Sequence, residues 1–176
     1  MARLSLITVG SRALRINHGI GQALAAIGFK PENRGSLMSQ ERVLIVEDEE
    51  NERTGLGELI ASWGYRTDTA RDGVEAMEKV ATWIPSIIVT DLKMPRMGGM
   101  ELLERVKDLE QPMAVILVTA QGTIDSAVTA MRLGAFNYVQ KPIDTMRLRS
   151  LLQNASELLG TRVELEVSRR KLRDSG

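Results

Sequence analysis

Side chains that could handle a metal ion and a phosphoryl group follow four short apolar runs of this chain. They are Glu47 and Asp48 after residues 43–46, Asp91 after residues 87–90, Thr119 after residues 115–118, and Lys141 after residues 138–140. Crowded carboxylates repel one another, so without a cation some of them would take up protons. A hard dication relieves that repulsion, and Mg²⁺ suits a small set of carboxylates with retained waters.

The same residues fit phosphoryl transfer once a magnesium ion is bound. Asp91 can act as the nucleophile, because the metal withdraws charge from the incoming phosphoryl group. Lys141 supplies a positive charge and Thr119 a hydroxyl donor for the oxygens of the transition state. Each residue also has a simpler explanation, as an acidic helix start, a strand end or a solvated loop lysine. The five residues together favour a site.

An alternation of strands and helices is needed to bring these residues together, and the sequence has it. Residues 43–46, 87–90 and 114–118 are continuous apolar runs, typical of central strands covered on both faces. Shorter, more polar runs at 65–69 and 137–140 are typical of edge strands, and helical patterns lie between the runs. We therefore predict an α/β fold with a doubly wound parallel sheet of five strands. Side chains at the carboxyl ends of such strands meet at one edge.

Composition excludes several classes of protein. The chain has 176 residues, 43% hydrophobic and 26% charged, with 23 basic and 23 acidic residues. This balance gives no reason to expect binding to nucleic acid or to a membrane. There is no cysteine, which excludes disulfides and thiolate metal sites. No apolar run approaches the roughly 20 residues of a membrane span, so we expect a cytoplasmic protein.

The two ends of the chain differ from the middle. Residues 1–39 lack a strong period and are expected to be a disordered or non-native extension, with a partner-binding or targeting segment as the alternative. Residues 40–160 carry the α/β pattern. Gly160 is expected to interrupt the last helix, with a new helix capped at Thr161 in residues 161–176. That segment is either a solvated tail or a helical linker that pairs with another chain.

Four segments of the chain carry a resemblance to a known family. They are Val43-Leu44-Ile45-Val46-Glu47-Asp48-Glu49, Asp91-Leu92-Lys93-Met94-Pro95-Arg96-Met97-Gly98-Gly99-Met100, Val118-Thr119-Ala120 and Tyr138-Val139-Gln140-Lys141-Pro142. In this order they resemble the signatures of the receiver domain of two-component response regulators. Residues 119–135 are similar to receivers of the nitrogen-regulation type, which precede an activator of the alternative sigma factor. The resemblance implies a flavodoxin-like sheet with strand order 2-1-3-4-5.

The resemblance also implies a role for each site residue. Asp91 corresponds to the phosphate acceptor, assisted by Thr119 and Lys141. The Mg²⁺ ligands would be Glu47, Asp48, Asp91 and the backbone carbonyl of Lys93. The switch residues would be Thr119 and Tyr138. Glu47 stands where many members have aspartate, so its contact with the metal could be through water. The Lys141-Pro142 bond is expected to be cis. Lys93 and Gln121 are expected to tune the lifetime of the phosphoryl group.

The implied function is a signalling switch and not an enzyme with its own substrate. A histidine kinase would phosphorylate Asp91, and the surface made by the fourth helix, fifth strand and fifth helix would then control an output domain or partner, in transcription regulation. A homodimer through that surface or through the last helix would be consistent with this. No nucleotide-binding loop or helix-turn-helix pattern follows. A stand-alone phosphorelay receiver, a magnesium-dependent aspartyl-phosphate phosphatase and a scaffold that needs no phosphorylation remain alternatives. Lys93 stands where such phosphatases carry their second acid.

Overall fold

A computed structural model describes residues 41–174 in full and the backbone of residues 5–9 and 12–16. The chain divides into two units, Met1–Met38 and Ser39–Gly176. In the first unit, strands β1 (Ser5–Val9) and β2 (Arg12–Ile16) pair in antiparallel fashion. The rest of the predicted extension lies outside the described residues, so the prediction for it stays a prediction.

The second unit alternates strands and helices as the sequence pattern predicts. Its strands are β3 (Arg42–Val46), β4 (Arg66–Ala70), β5 (Ile87–Asp91), β6 (Ala114–Thr119) and β7 (Asn137–Gln140). Its helices are α1 (Glu50–Ser62), α2 (Gly73–Trp83), α3 (Gly99–Lys107), α4 (Ile124–Arg132) and α5 (Thr145–Asp174). All pairs in this sheet are parallel, in the order β4-β3-β5-β6-β7. Counted within this unit the order is 2-1-3-4-5, which confirms the predicted fold.

Helices cover both faces of the sheet, because alternate residues of the central strands point to opposite sides. On one face Leu44 and Ile88 are buried in a core that helices α2, α3 and α4 complete. On the other face Ile45 and Val89 are buried in a core completed by α1 and α5. With both faces covered, the carboxyl-terminal edge of the sheet is where side chains from several strands can meet a ligand.

The last helix differs from the prediction. Helix α5 runs from Thr145 to Asp174 without a break at Gly160, and the Thr161 hydroxyl donates to the Glu157 carbonyl 3.0 Å away instead of capping a new helix. A glycine inside a helix destabilises it by only about 1 kcal/mol, whereas a second helix would need its own nucleus. The predicted interruption is therefore wrong, and the tail is a continuation of α5. Within the described residues no helix is long and apolar enough to cross a membrane.

Candidate functional site

Three carboxylates converge at the carboxyl-terminal edge of the sheet. Glu47 and Asp48 follow β3, and Asp91 ends the neighbouring strand β5. One oxygen from each of the three side chains lies within 4.8 Å of the others. Glu47 is buried, Asp91 is partly exposed and Asp48 is exposed, so the cluster opens to solvent.

The loop that carries Glu47 and Asp48 is fixed by its backbone. The Glu47 amide donates to the Ala70 carbonyl at 3.0 Å, which ties the end of β3 to the end of β4. The Arg53 guanidinium, one turn into α1, donates to the Glu47 carbonyl at 2.8 Å. Glu49 accepts hydrogen bonds from two amides of the first turn of α1 and so serves as its N-cap. The acids after Asp48 thus do act as a helix start, while Glu47 and Asp48 remain directed to the site.

Asp91 is held by the loop that follows it. Its Oδ1 accepts hydrogen bonds from the Leu92 amide at 2.5 Å and the Lys93 amide at 3.2 Å. The Gly99 amide closes the loop by donating to the Leu92 carbonyl at 3.0 Å. A Cβ at Gly99 would lie 2.2 Å from the Asp91 carbonyl oxygen, so only glycine permits this approach. The other carboxylate oxygen of Asp91, Oδ2, accepts a hydrogen bond from a lysine that follows β7.

That lysine is Lys141, which joins the acids of two strands. Its Nζ donates to Glu47 Oε2 at 2.9 Å, to Asp91 Oδ2 at 3.2 Å, and to Glu52. Burial alone would lower the pKa of Lys141, but the hydrogen bonds to Glu52 and Glu47 outweigh it, and the pKa is raised. Burial raises the pKa of Glu47, and the bond from Lys141 offsets only part of that effect. Lys141 is therefore a fixed positive charge. The Lys141-Pro142 bond is cis, as expected.

Glu52 is a site residue that the sequence pattern does not reveal. It lies on α1, 89 positions before Lys141, and its side chain is half exposed. Acids are common in the first turn of a helix, where the macrodipole favours them, so Glu52 has an ordinary explanation in the sequence. The available signal is its place on the turn after Asp48, which puts it above the same edge of the sheet.

The hydroxyl, the aromatic ring and the two loop side chains are also at this edge. Thr119 is buried, its Oγ1 accepts from the Gln121 amide at 3.1 Å, and its carbonyl accepts from the Lys141 amide at 2.9 Å. The Lys93 ammonium donates to the Gln121 side chain at 2.5 Å, which joins the loop after β5 to the loop after β6. Tyr138 is partly buried, and its hydroxyl lies 2.7 Å from Ser126 Oγ on α4. All the predicted residues thus lie around one edge, with Tyr138 at its periphery.

The donor set agrees with magnesium on chemical grounds. Three carboxylates and one lysine leave a net negative site, and burial raises the pKa of Glu47 because the charged form is poorly solvated there. Hard oxygen donors and an open side for water are what Mg²⁺ requires, whereas no nitrogen or sulfur donor is among these residues.

Comparison with known proteins agrees with this geometry. The family model described as "Response regulator receiver domain" matches residues 43–153, from β3 into α5. The chain belongs to this family. Receiver domains are signalling domains and not classical enzymes, and their partners in two-component systems are histidine kinases.

Curated relatives place the chain near regulators of the nitrogen-regulation type. It is 37% identical over 124 residues to regulatory protein AtoC of Escherichia coli, which covers 70% of this chain and 27% of that protein. It is 34% identical over 113 residues to the DNA-binding transcriptional regulator NtrC of E. coli, across 64% of this chain and 24% of NtrC. The chain thus spans about a quarter of these relatives. It is also 34% identical to sporulation initiation phosphotransferase F of Bacillus subtilis, across 66% of this chain and 94% of that protein.

Solved structures agree on the fold. The signal receiver domain of a LuxO repressor protein from Vibrio parahaemolyticus superposes with a TM-score of 0.68 at 28% identity, covering 72% of this chain and 97% of that one. NtrX from Brucella abortus superposes with a TM-score of 0.66 at 27% identity, covering 71% of this chain and 29% of that one.

Proposed function

We propose that the chain is a phosphorylation-activated switch in which Asp91 accepts a phosphoryl group from a histidine kinase with Mg²⁺. The observation that carries the proposal is the convergence of Glu47 and Asp48, from the loop after β3, with Asp91 at the end of β5, and the bonds from Lys141 to Glu47 and Asp91. Such a set can neutralise and orient an incoming phosphoryl group, and has little use in the fold alone.

The chemical step follows from the contacts of Asp91. A carboxylate oxygen of Asp91 attacks phosphorus, the P–N bond of a phosphohistidine breaks, and the electron pair stays on the imidazole nitrogen. Lys141, whose raised pKa keeps it charged, pairs with one phosphoryl oxygen. The Leu92 and Lys93 amides keep the carboxylate in place by their bonds to Oδ1.

Glu47, Asp48, Asp91 and the Lys93 carbonyl are the residues that would hold the metal. Bound there, Mg²⁺ supplies charge neutralisation for the phosphoryl oxygens. A groove of about 660 Å³ beside the acids, bordered by α1 and by Pro142 and Ile143, leaves Asp91 accessible to a side chain of the kinase.

The switch would act through Thr119 and Tyr138. Movement of the Thr119 hydroxyl toward a phosphoryl oxygen would open space for the Tyr138 ring and break its bond to Ser126 on α4. The surface of α4, β7 and α5 is suited to a partner because it exposes apolar side chains: Ile124, Val128 and Met131 on α4 and Met146 on α5. We infer that this surface controls an output domain or partner in transcription regulation, as the name of the relative NtrC, a DNA-binding transcriptional regulator, suggests.

The tail of α5 offers a second surface, for a second copy of the chain. Leu158, Leu165 and Leu172 are exposed at seven-residue intervals. In a parallel coiled coil with these leucines at the core, Glu157 and Glu164 of one helix would lie opposite Arg162 and Arg169 of the other. The other core position of each heptad would hold Thr161 and Ser168, so a parallel homodimer would rest on the leucines and on these opposite charges.

The experiment for the switch is phosphorylation by acetyl phosphate, followed by intact mass. The native chain is expected to gain one phosphoryl group in the presence of Mg²⁺, and the Asp91→Asn variant none. A native chain that gains no mass, or a variant that does, would contradict the proposal. Sedimentation with and without beryllium trifluoride tests dimerisation, and Leu165→Asp is expected to weaken it.

A second function, a stand-alone phosphorelay receiver, is favoured by one observation. The match to sporulation initiation phosphotransferase F covers 94% of that protein, so a protein of that name has little beyond the receiver. Return of the phosphoryl group from Asp91 to a histidine-containing phosphotransfer protein would support this role. A phosphatase is less well supported, because Lys93 stands two positions after Asp91 and is bound to Gln121.

A further inference from the structure

A buried acid outside the metal cluster links two loops at the sheet edge. Asp72 follows β4, and only 3% of its side chain is exposed. Its Oδ1 accepts from the Val74 and Glu75 amides at 2.9 and 3.0 Å, which caps α2. Its Oδ2 accepts from the Arg96 guanidinium through Nε at 2.7 Å and through Nη2. One oxygen therefore serves α2 and the other serves the loop between β5 and α3.

Arg96 occupies an unusual backbone conformation. Its φ is 62°, in the left-handed region that side chains other than glycine rarely adopt. Two contacts keep the backbone there: the two hydrogen bonds from Arg96 to Asp72 Oδ2, and the Gly73 amide, which donates to the neighbouring Met97 carbonyl at 2.9 Å. Space for Met97 exists because Gly73 has no side chain; a Cβ there would lie 2.5 Å from the Met97 side chain.

The same loop carries the backbone carbonyl of Lys93, which is one of the proposed Mg²⁺ ligands. Residues 92–98 are anchored at one end by the bond from Gly99 to Leu92, and at the other by the contacts of Arg96 and Met97. Lys93 lies between the two anchors. The geometry points to the Arg96–Asp72 pair as a latch that positions the Lys93 carbonyl and so sets Mg²⁺ affinity, without touching the metal or the phosphoryl group. This inference rests on the proposed function.

A positioning role for Arg96 and a purely electrostatic effect of its charge predict opposite changes in Mg²⁺ affinity when Arg96 is removed. Arg96 is a cation near a cation site, so its removal should strengthen Mg²⁺ binding if only its charge matters. If Arg96 positions the loop, its removal should weaken Mg²⁺ binding. The cap on α2 is left intact by changes at Arg96, because it uses the other oxygen of Asp72.

The experiment compares Arg96→Gly with the native chain by calorimetric Mg²⁺ titration. Glycine accepts a φ of 62° without strain, so the variant removes the pair and not the backbone conformation. We expect Mg²⁺ affinity to fall roughly three- to ten-fold, less than the 10- to 100-fold typical of groups bonded directly to a metal ligand. The phosphorylation rate at saturating Mg²⁺ should stay within about two-fold of native, because positioning by Arg96 acts on metal binding. Arg96→Lys should restore part of the affinity.

A matched control and a structural readout complete the test. Arg105→Ala removes the same charge from an exposed ion pair with Glu101 on α3, and should leave Mg²⁺ affinity at or above native. Without metal, exchange of the Gly99 amide should be faster in Arg96→Gly than in the native chain. Unchanged or tighter Mg²⁺ binding by Arg96→Gly would overturn the latch alone. Failure of the native chain to bind Mg²⁺ would overturn the proposed function and the latch with it.

Discussion

If Asp91 is phosphorylated as proposed, Glu52 would compete with the phosphoryl group for Lys141. Lys141 donates at once to Glu47, Asp91 and Glu52, and Glu52 is the one of the three that reaches in from α1. A phosphoryl oxygen on Asp91 would have to share or displace that bond. We therefore expect Glu52→Gln to bind the phosphoryl mimic beryllium trifluoride more tightly.

The size of the expected gain in affinity for the mimic follows from the solvent exposure of Glu52 and Lys141. The Glu52 side chain is 53% exposed and that of Lys141 17% exposed, so solvent screens much of their attraction. Partly exposed ion pairs contribute about 0.5–1 kcal/mol, which corresponds to a roughly two- to five-fold decrease in the dissociation constant of the mimic. The same change should lower the free energy of unfolding by no more than about 1 kcal/mol, since Glu47 and Asp91 still pair with Lys141.

A fluorine NMR titration with beryllium fluoride at saturating Mg²⁺ measures this effect. Glu50→Gln is the matched control, because it removes the same charge from the first turn of α1, whereas the acids that pair with Lys141 are Glu47, Glu52 and Asp91. The gain in Glu52→Gln should shrink as salt is added, since screening weakens the pair in the native chain. Equal or weaker binding by Glu52→Gln than by Glu50→Gln would show that Glu52 does not restrain Lys141.

Three further results are expected from single changes. Gly99→Ala should lower the free energy of unfolding by about 2–3 kcal/mol, because its Cβ would meet the Asp91 carbonyl. Gly55→Ala should raise the free energy of unfolding by about 0.5–1 kcal/mol, because a Cβ at this helical position would have nothing within 4 Å. Urea unfolding measures both changes. The pKa of Asp72 is lowered, because the Glu75 amide and Arg96 outweigh the effect of burial. Asp72 therefore stabilises the fold above its unfolded pKa of about 3.9 and loses that effect as the pH falls, so the stability difference from Asp72→Asn should shrink between about pH 5 and pH 3. A difference that is constant with pH would contradict this reasoning.

Strand-end residues were predictable because their positions follow from the fold. Apolar runs of four or five residues fixed β3, β5 and β6, and parallel strands bring their carboxyl ends to one edge whatever the loops do. Asp91 and Thr119 could therefore be placed together from sequence alone. The family resemblance added the roles, which spacing does not give.

Contacts between loops were not predictable in the same way. The bond from Lys141 to Glu52 depends on the angle between α1 and β3. The Arg96–Asp72 pair depends on a left-handed backbone conformation at Arg96, and such a conformation is expected from sequence only where the residue is glycine. At Gly160 the sequence predicted a helix end that the structure does not have. Gly160 is a helix breaker by propensity, but its neighbours on both sides favour the helix and nothing crowds it. The low helix propensity of one glycine is outweighed there by the helical residues on both sides of it.

Helix α5 is a single rod with one end in the core and the other in solvent. Leu148, Leu152 and Leu159 are buried against the sheet, while residues 160–174 extend beyond Leu159 without a break. At 1.5 Å per residue the extension is about 22 Å long, so a tilt of about 10° at its root would sweep its tip through about 4 Å. The helix thus has the form of a lever arm, in which small displacements beside β7 are geometrically amplified at Asp174.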